Sequence, residues 1–151
     1  MTPKFRILFV TQYYYPEPEF KMTGLSKMLS KDGNDVTVIT ALPHYPKGRI
    51  YDGYRNKLWV KEVIDNVKVF RMLSYPTRSN SFFKRSMNNL VFPIVAAFFL
   101  LFLFKKYDLM VVQQPPITIG IPVLIMNKLH KVPFIYEIQD LWPETLKTVG
   151  A

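Results

Sequence analysis

FRILFVT at Phe5–Thr11 and DVTVIT at Asp35–Thr40 are two short β-rich apolar runs, separated by the length that a strand, a crossover helix and a parallel strand require. Between them Met22, Leu25, Met28 and Leu29 recur at helical spacing, and Gly33-Asn34 supplies a helix stop. The segment therefore reads as a βαβ unit whose helix lays one face on the sheet. Further along, Trp59–Ile64 and Val67–Leu73 flank Asp65-Asn66, which predicts two strands around a tight polar turn, a hairpin inserted in an otherwise parallel arrangement. Asp108–Gln113 and Val132–Ile138 have the character of buried strands. The stretch between them, from about Thr118 to His130, reads as a helix that is apolar nearly all round, with Pro122 tolerated in its first turn. The fold expected is α/β: a Rossmann-like, mostly parallel sheet with flanking helices, an inserted β-hairpin and one strongly apolar, membrane-facing helix.

With 151 residues, 49% of them hydrophobic, the chain suffices for one core of ordinary size and not for two full domains. A formal charge of +9, from 20 Lys and Arg against 11 Asp and Glu, makes the surface basic and points to a polyanionic partner such as acidic lipid or phosphate. Nucleic acid is not expected, because the cations are scattered among apolar segments and form no reader motif. The absence of cysteine excludes disulfides, thiolate metal sites and cysteine nucleophiles, and suits a reducing compartment. Met1–Lys4 runs straight into a strand without the succession of a secretion signal, so a cytoplasmic address is expected.

Leu90–Phe104 (LVFPIVAAFFLLFLF) is uncharged, with Phe98, Phe99, Phe102 and Phe104 in its second half, Lys84 and Arg85 before it and Lys105 and Lys106 after. It falls short of the roughly 20 apolar residues a crossing needs. A helix lying in the membrane interface, its phenylalanines at the acyl boundary and its four cations on anionic head groups, is one reading. A crossover helix buried against the sheet is the other, and true spanning is disfavoured by length.

Ligands of open α/β sheets bind beyond the carboxyl ends of the strands. The loop after the first strand, QYYYPEPEF at Gln12–Phe20, has no glycine before Gly24, so neither the dinucleotide fingerprint nor a P-loop is present and a nicotinamide cofactor is not expected. Tyr14, Glu17, Thr23 and Gly24 are its candidate substrate contacts, against the alternative of a rigid, proline-shaped turn. The loop ALPHYPKGRIYDG at Ala41–Gly53 offers His44 as a proton acceptor and Tyr45, Lys47 and Gly48 as contacts, since an aromatic face and a cation suit a sugar carried on diphosphate. Gln113 and Gln114, before Pro115-Pro116, place two amides at a strand end where sugar hydroxyls can be bonded, or simply end a strand. EIQDLWPE at Glu137–Glu144 puts Asp140 at a strand tip, where a carboxylate can orient or deprotonate a hydroxyl, with Trp142 for a sugar face and Glu144 nearby; the same residues can also start a helix.

Together, YYPEP after the first strand, PHYPKGRIYDGY, QPP and EIQDLWPE resemble the N-terminal half of bacterial family 4 glycosyltransferases of the GT-B fold, and among them the fucosamine-transferase-like enzymes of surface-polysaccharide assembly. The resemblance spans nearly the whole chain and implies a retaining sugar transfer without metal or cofactor. It implies an N-terminal domain that receives the acceptor, often a polyprenyl-diphosphate-linked sugar, and a second domain that binds most of the nucleotide-sugar donor. It carries Asp140 over as a cleft carboxylate and the loop around His44 as an acceptor contact. The chain departs from the family where small residues and glycines usually precede the first helix, having Glu19, Phe20, Lys21 and Met22 instead. The donor domain is expected to be missing, so that residues 1–151 form only the acceptor side, inactive alone and peripheral on the inner face of the cell membrane. A non-enzymatic membrane-binding module or a gene fragment is the alternative.

Overall fold

The computed structural model describes residues 4–102 and 106–139. Six strands form one sheet: β1 (Arg6–Val10), β2 (Asp35–Ala41), β3 (Trp59–Ile64), β4 (Val67–Met72), β5 (Leu109–Gln113) and β6 (Phe134–Glu137). Their order is β3-β4-β2-β1-β5-β6, all parallel except β3, which pairs antiparallel with β4. This is the Rossmann-like arrangement expected, with the hairpin at one edge. Asp65 (φ 49°) and Asn66 (φ 64°) both take the left-handed backbone that a two-residue turn of this twist requires.

Helix α1 (Lys21–Lys31) covers one face of the sheet; α2 (Phe82–Leu101) and α3 (Gly120–His130) cover the other. Alternation along β1 divides the core accordingly: Ile7 and Phe9 pack with Met22 on the α1 side, while Leu8 and Val10 pack with Phe92, Ala96 and Val123 on the α2 and α3 side. Helix α1 stops as its sequence dictates. Gly33 adopts φ 90°, and the amides of Gly33 and Asn34 return to the carbonyls of Ser30 and Leu29. Its buried face is more polar than its periodicity implies, because Met28 is exposed and Ser26 is buried in its stead, its hydroxyl bonded to that of Tyr14 at 2.8 Å.

Three expectations change. The helix around Leu90–Phe104 begins eight residues earlier, at Phe82, and buries Phe92, Pro93, Ala96, Ala97 and Leu100 while exposing Ile94, Phe98 and Phe102. It is thus half crossover helix and half open apolar face, and no helix among the described residues is long and apolar enough to cross a membrane. Strand β6 is not buried: it is the sheet's edge, with Ile135 57% and Ile138 55% exposed. The α3 segment opens with a 3-10 turn at Ile117–Ile119 and buries one stripe, Val123 and Met126, leaving Leu124 and Leu129 in solvent.

Candidate functional site

Successive crossovers from β1 run towards β2 on one side, whereas β5 lies on its other side, so the carboxyl ends of β1 and β5 frame the point at which the strand order reverses. The loops after these two strands part there and leave a cleft in two lobes. The outer lobe, about 540 Å³, lies among Tyr13, Glu19, Lys21, Tyr45, Pro115 and Gln139. The inner lobe, about 330 Å³, lies among Gln12, Tyr13, Asn89, Gln114, Pro115 and Thr118. Tyr13 and Pro115 belong to both. The Tyr13 ring rests against His44 (centroids 5.9 Å apart) and Tyr45 (5.0 Å). Burial first, and then the charge of Glu17, push its phenol up to about 12, so it remains a neutral hydroxyl at any physiological pH.

The histidine is prepared by its neighbours. His44 is buried, and its Nδ1 lies 2.8 Å from the carbonyl of Leu42, which can only accept; Nδ1 therefore carries the proton in the neutral ring and Nε2 holds the lone pair. Among the described residues Nε2 has no partner. The Nε2 amide of Gln12, on the inner lobe, is likewise buried and unpartnered. Gln12 Nε2 can therefore donate a hydrogen bond to a group from outside the chain that enters the inner lobe.

Glu17 holds this loop in place. Its Oε1 accepts the amides of His44 and Tyr45 at 2.8 Å each, and Oε2 accepts that of Tyr14 at 3.3 Å, tying the loop after β1 to the loop after β2. Beyond it, Gly48 (φ 62°) closes a turn through its amide to the carbonyl of His44 at 2.7 Å, and a side chain there would run into that of Arg78. Lys47 lies over the ring of Tyr51 at 4.3 Å, and the Tyr51 hydroxyl donates to the carbonyl of Tyr45.

Glu19 explains why the glycine-poor first loop is no phosphate cradle. Its carboxylate accepts the amides of Lys21, Met22 and Thr23 at 3.0–3.1 Å, filling the helix N-terminus where a nucleotide phosphate would otherwise bind. The amide of Gly24 is spent on the carbonyl of Phe20, and the Thr23 hydroxyl accepts the amide of Tyr15. Thr23 and Gly24 thus have their backbone amides engaged within the loop and line neither lobe, contrary to expectation. Tyr14 also lies elsewhere than expected, fully buried in the core beneath α1, and Glu17 is a clamp with its oxygens committed. Gln113 is similarly occupied, accepting from Thr11 at 2.9 Å and donating to Glu19 at 3.2 Å, while its neighbour Gln114 faces the inner lobe.

The structure therefore brings Tyr45 and Gln114 to one cleft with Gln12, Tyr13 and Asn89, three residues not singled out from sequence, while His44 lies buried against the Tyr13 ring and lines neither lobe. The pairing of Tyr14 with Ser26 was the available signal: a small polar residue on the buried face of α1 can receive only one of the consecutive tyrosines, and the next must face the other way. Asp140, Trp142 and Glu144 lie outside the described residues, as do Phe104 and Lys105. Lys84, Arg85 and Lys106 are exposed, as is Phe102, whereas Phe99 is turned against Phe70 (5.2 Å) and Trp59 (5.9 Å).

No family model and no curated protein sequence matches the chain. Among solved structures, it is similar to the C-terminal domain of a hydrogenase from Pyrococcus furiosus, at 15% identity and a TM-score of 0.54, over 91% of this chain and 96% of that one. It is also similar to the catalytic domain of starch synthase IV from Arabidopsis thaliana bound to ADP and acarbose, at 13% identity and a TM-score of 0.62, over 89% of this chain. The chain spans about a third (34%) of the length of that starch synthase structure. At these identities the likeness is one of fold, a Rossmann-like α/β architecture.

Proposed function

We propose that this chain is the acceptor-side half of a retaining, family 4-like sugar transferase of GT-B architecture, related to the fucosamine-transferase-like enzymes. It passes a sugar from a nucleotide-sugar to a lipid-diphosphate-linked acceptor during surface-polysaccharide assembly, on the inner face of the cell membrane. The single observation that carries the reading is the inner lobe at the switch point, lined by the amides of Gln12, Asn89 and Gln114, the hydroxyl of Thr118 and a tyrosine that stays protonated, with Gln12 Nε2 left without a partner among the described residues. Amides and an aromatic ring are what a polyhydroxylated ring needs, and the helix amides that a phosphate would use are already occupied by Glu19. In this reading His44 takes the proton of the attacking hydroxyl, Gln12 and Gln114 orient the acceptor ring, Tyr13 and Tyr45 pack on its faces, and Lys47 meets its diphosphate. Asp140 and Trp142, which follow Gln139 in the sequence, complete the site in this reading. The nucleotide-sugar is held by a second domain or chain, consistent with the chain spanning a third of the starch synthase structure.

The test is transfer of radiolabelled sugar from a panel of nucleotide-sugars to a membrane lipid extract, by this chain alone and together with a supplied C-terminal half. Transfer only in the mixture is the expected result. In that mixture His44→Asn, which can still donate to the Leu42 carbonyl but offers no base, should lower turnover about 100-fold or more, the usual contribution of a general base. No transfer in either mixture by folded protein overturns the proposal. It would favour the second reading, a membrane-associated binding module, which is supported by the open apolar face of α2.

A further inference from the structure

On the α2 face of the sheet, at the hairpin edge, the C-terminal half of α2 stands off from the start of β3. The groove between them has a volume of about 510 Å³ and an almost wholly apolar lining: Leu58, Trp59 and Met72 from the hairpin side, Val95, Phe98 and Phe102 from α2. Its floor is sealed by the contact of Phe99 with Trp59 and Phe70. Its rim is open, Leu58 being 63%, Trp59 49%, Phe98 62% and Phe102 71% exposed. So much apolar surface around one groove is costly to leave in water and marks a binding place.

The charges beside it say what fits. Lys61 projects from the same face of β3 as Trp59, its Nζ 5.8 Å from the ring centre of Phe70. Arg55 and Lys57 are exposed immediately before Leu58 and, with Lys61, line a second hollow of about 550 Å³ whose one carboxylate, Glu62, is paired with Arg71. A hydrocarbon slot with cations along one border is complementary to an amphiphile with an apolar tail and an anionic head, and a tryptophan at the boundary suits the level where acyl chain meets head group. A partner helix would fill the slot as well but would leave the cations without counterparts.

We propose that this groove takes an acyl chain of an anionic membrane lipid, with Lys61, Lys57 and Arg55 at its head group. The chain would then grip the bilayer between hairpin and helix and not along α2 alone. The inference deepens the membrane address assigned above but does not depend on sugar transfer, and its test involves none.

Trp59 and Trp142 are the only tryptophans, so in a Trp142→Phe background the fluorescence of Trp59 reports the groove directly. The full chain carrying that substitution is titrated with phosphatidylglycerol vesicles brominated along the acyl chain, and with phosphatidylcholine vesicles of the same bromination. The expected outcome is binding to the anionic vesicles, a blue shift, and quenching of Trp59 by acyl bromine. Phe98→Ser and Phe102→Ser, both at exposed positions and so tolerated by the core, should abolish the quenching. Lys61→Gln should weaken binding about five-fold, the effect of one lysine near an anionic surface. Absence of vesicle binding, or binding that leaves Trp59 unquenched, overturns the proposal, as does equal binding to both lipids; the first two would return the groove to a protein partner. Failure here leaves the transfer assay untouched, and the converse also holds.

Discussion

At the scale of single residues, the site is organised by a carboxylate that touches no solvent. Glu17 is 3% exposed, and all three of its hydrogen bonds come from backbone amides, so its removal strands donors in two loops at once. Glu17→Ala should cost about 3 kcal/mol in urea unfolding, given a cost of about 1–3 kcal/mol for each buried polar group left unpaired. Burial raises its pKa above the ordinary 4.5, a rise that the amides of Tyr45 and His44 offset only in part. The folded chain therefore binds this proton more readily than the unfolded chain does. The contribution of Glu17 to stability is fully present below the ordinary carboxylate value and is lost as pH rises through the raised one. Unfolding free energies of the parent and Glu17→Gln, measured from pH 4 to pH 7, should draw apart in the parent's disfavour as pH increases. A constant difference would mean that the group does not titrate with folding.

At the scale of elements, the hairpin is the part whose sequence and geometry agree most closely. Asp65 and Asn66 sit in the left-handed region that costs most residues about 1–2 kcal/mol, and Asp65 also meets Lys27 at 2.7 Å, fastening the turn to α1. Asn66→Val should lower stability by about 1–2 kcal/mol, whereas Asn66→Gly should leave it nearly unchanged, as read from thermal or urea unfolding. Strand runs, the turn dipeptide and the Gly33 stop were legible because each is a local preference that the tertiary structure has no reason to override. What periodicity could not supply was which residue fills which gap: Met28 yields its buried place to Ser26 because Tyr14 needs a partner for its hydroxyl, and that choice sends Tyr13 to the cleft. Glu19 was legible as a departure from glycine-rich loops but not as the occupant of the helix N-terminus, since a cap two to four residues ahead of the amides it serves has the same sequence as an exposed charge. The apolar character of β6 misled for a related reason, because composition records what a strand is suited to meet and not whether this chain supplies it.

For the whole molecule, the sheet has an open edge at each end among the described residues, β3 and β6, and it is β6 that lies next to the cleft. Its centre, β2, β1 and β5, is buried under helices on both faces, whereas β6 has one neighbour among the described residues, and Phe134, Ile135 and, just after the strand, Ile138 are exposed. An unpaired edge with an apolar flank is a surface that natural proteins usually cover, blunt or pair, and it borders the outer lobe through Glu137, whose Oε1 bonds Lys21 across the cleft, and through Gln139. Whatever covers this edge would therefore also complete the cleft. Hydrogen exchange can read this directly, because amides open with free energies that range from near zero at frayed edges to the global value in the core. In the isolated chain the amides of Phe134 to Glu137 should exchange orders of magnitude faster than those of Leu8 to Val10. On addition of a C-terminal half that restores sugar transfer, they should slow markedly, with little change in β3 at the opposite edge. Protection of β6 in the isolated chain equal to that of β1 would show that the edge is already covered, by a second copy if the protection falls on dilution, and the second domain would then have to meet the cleft from another side.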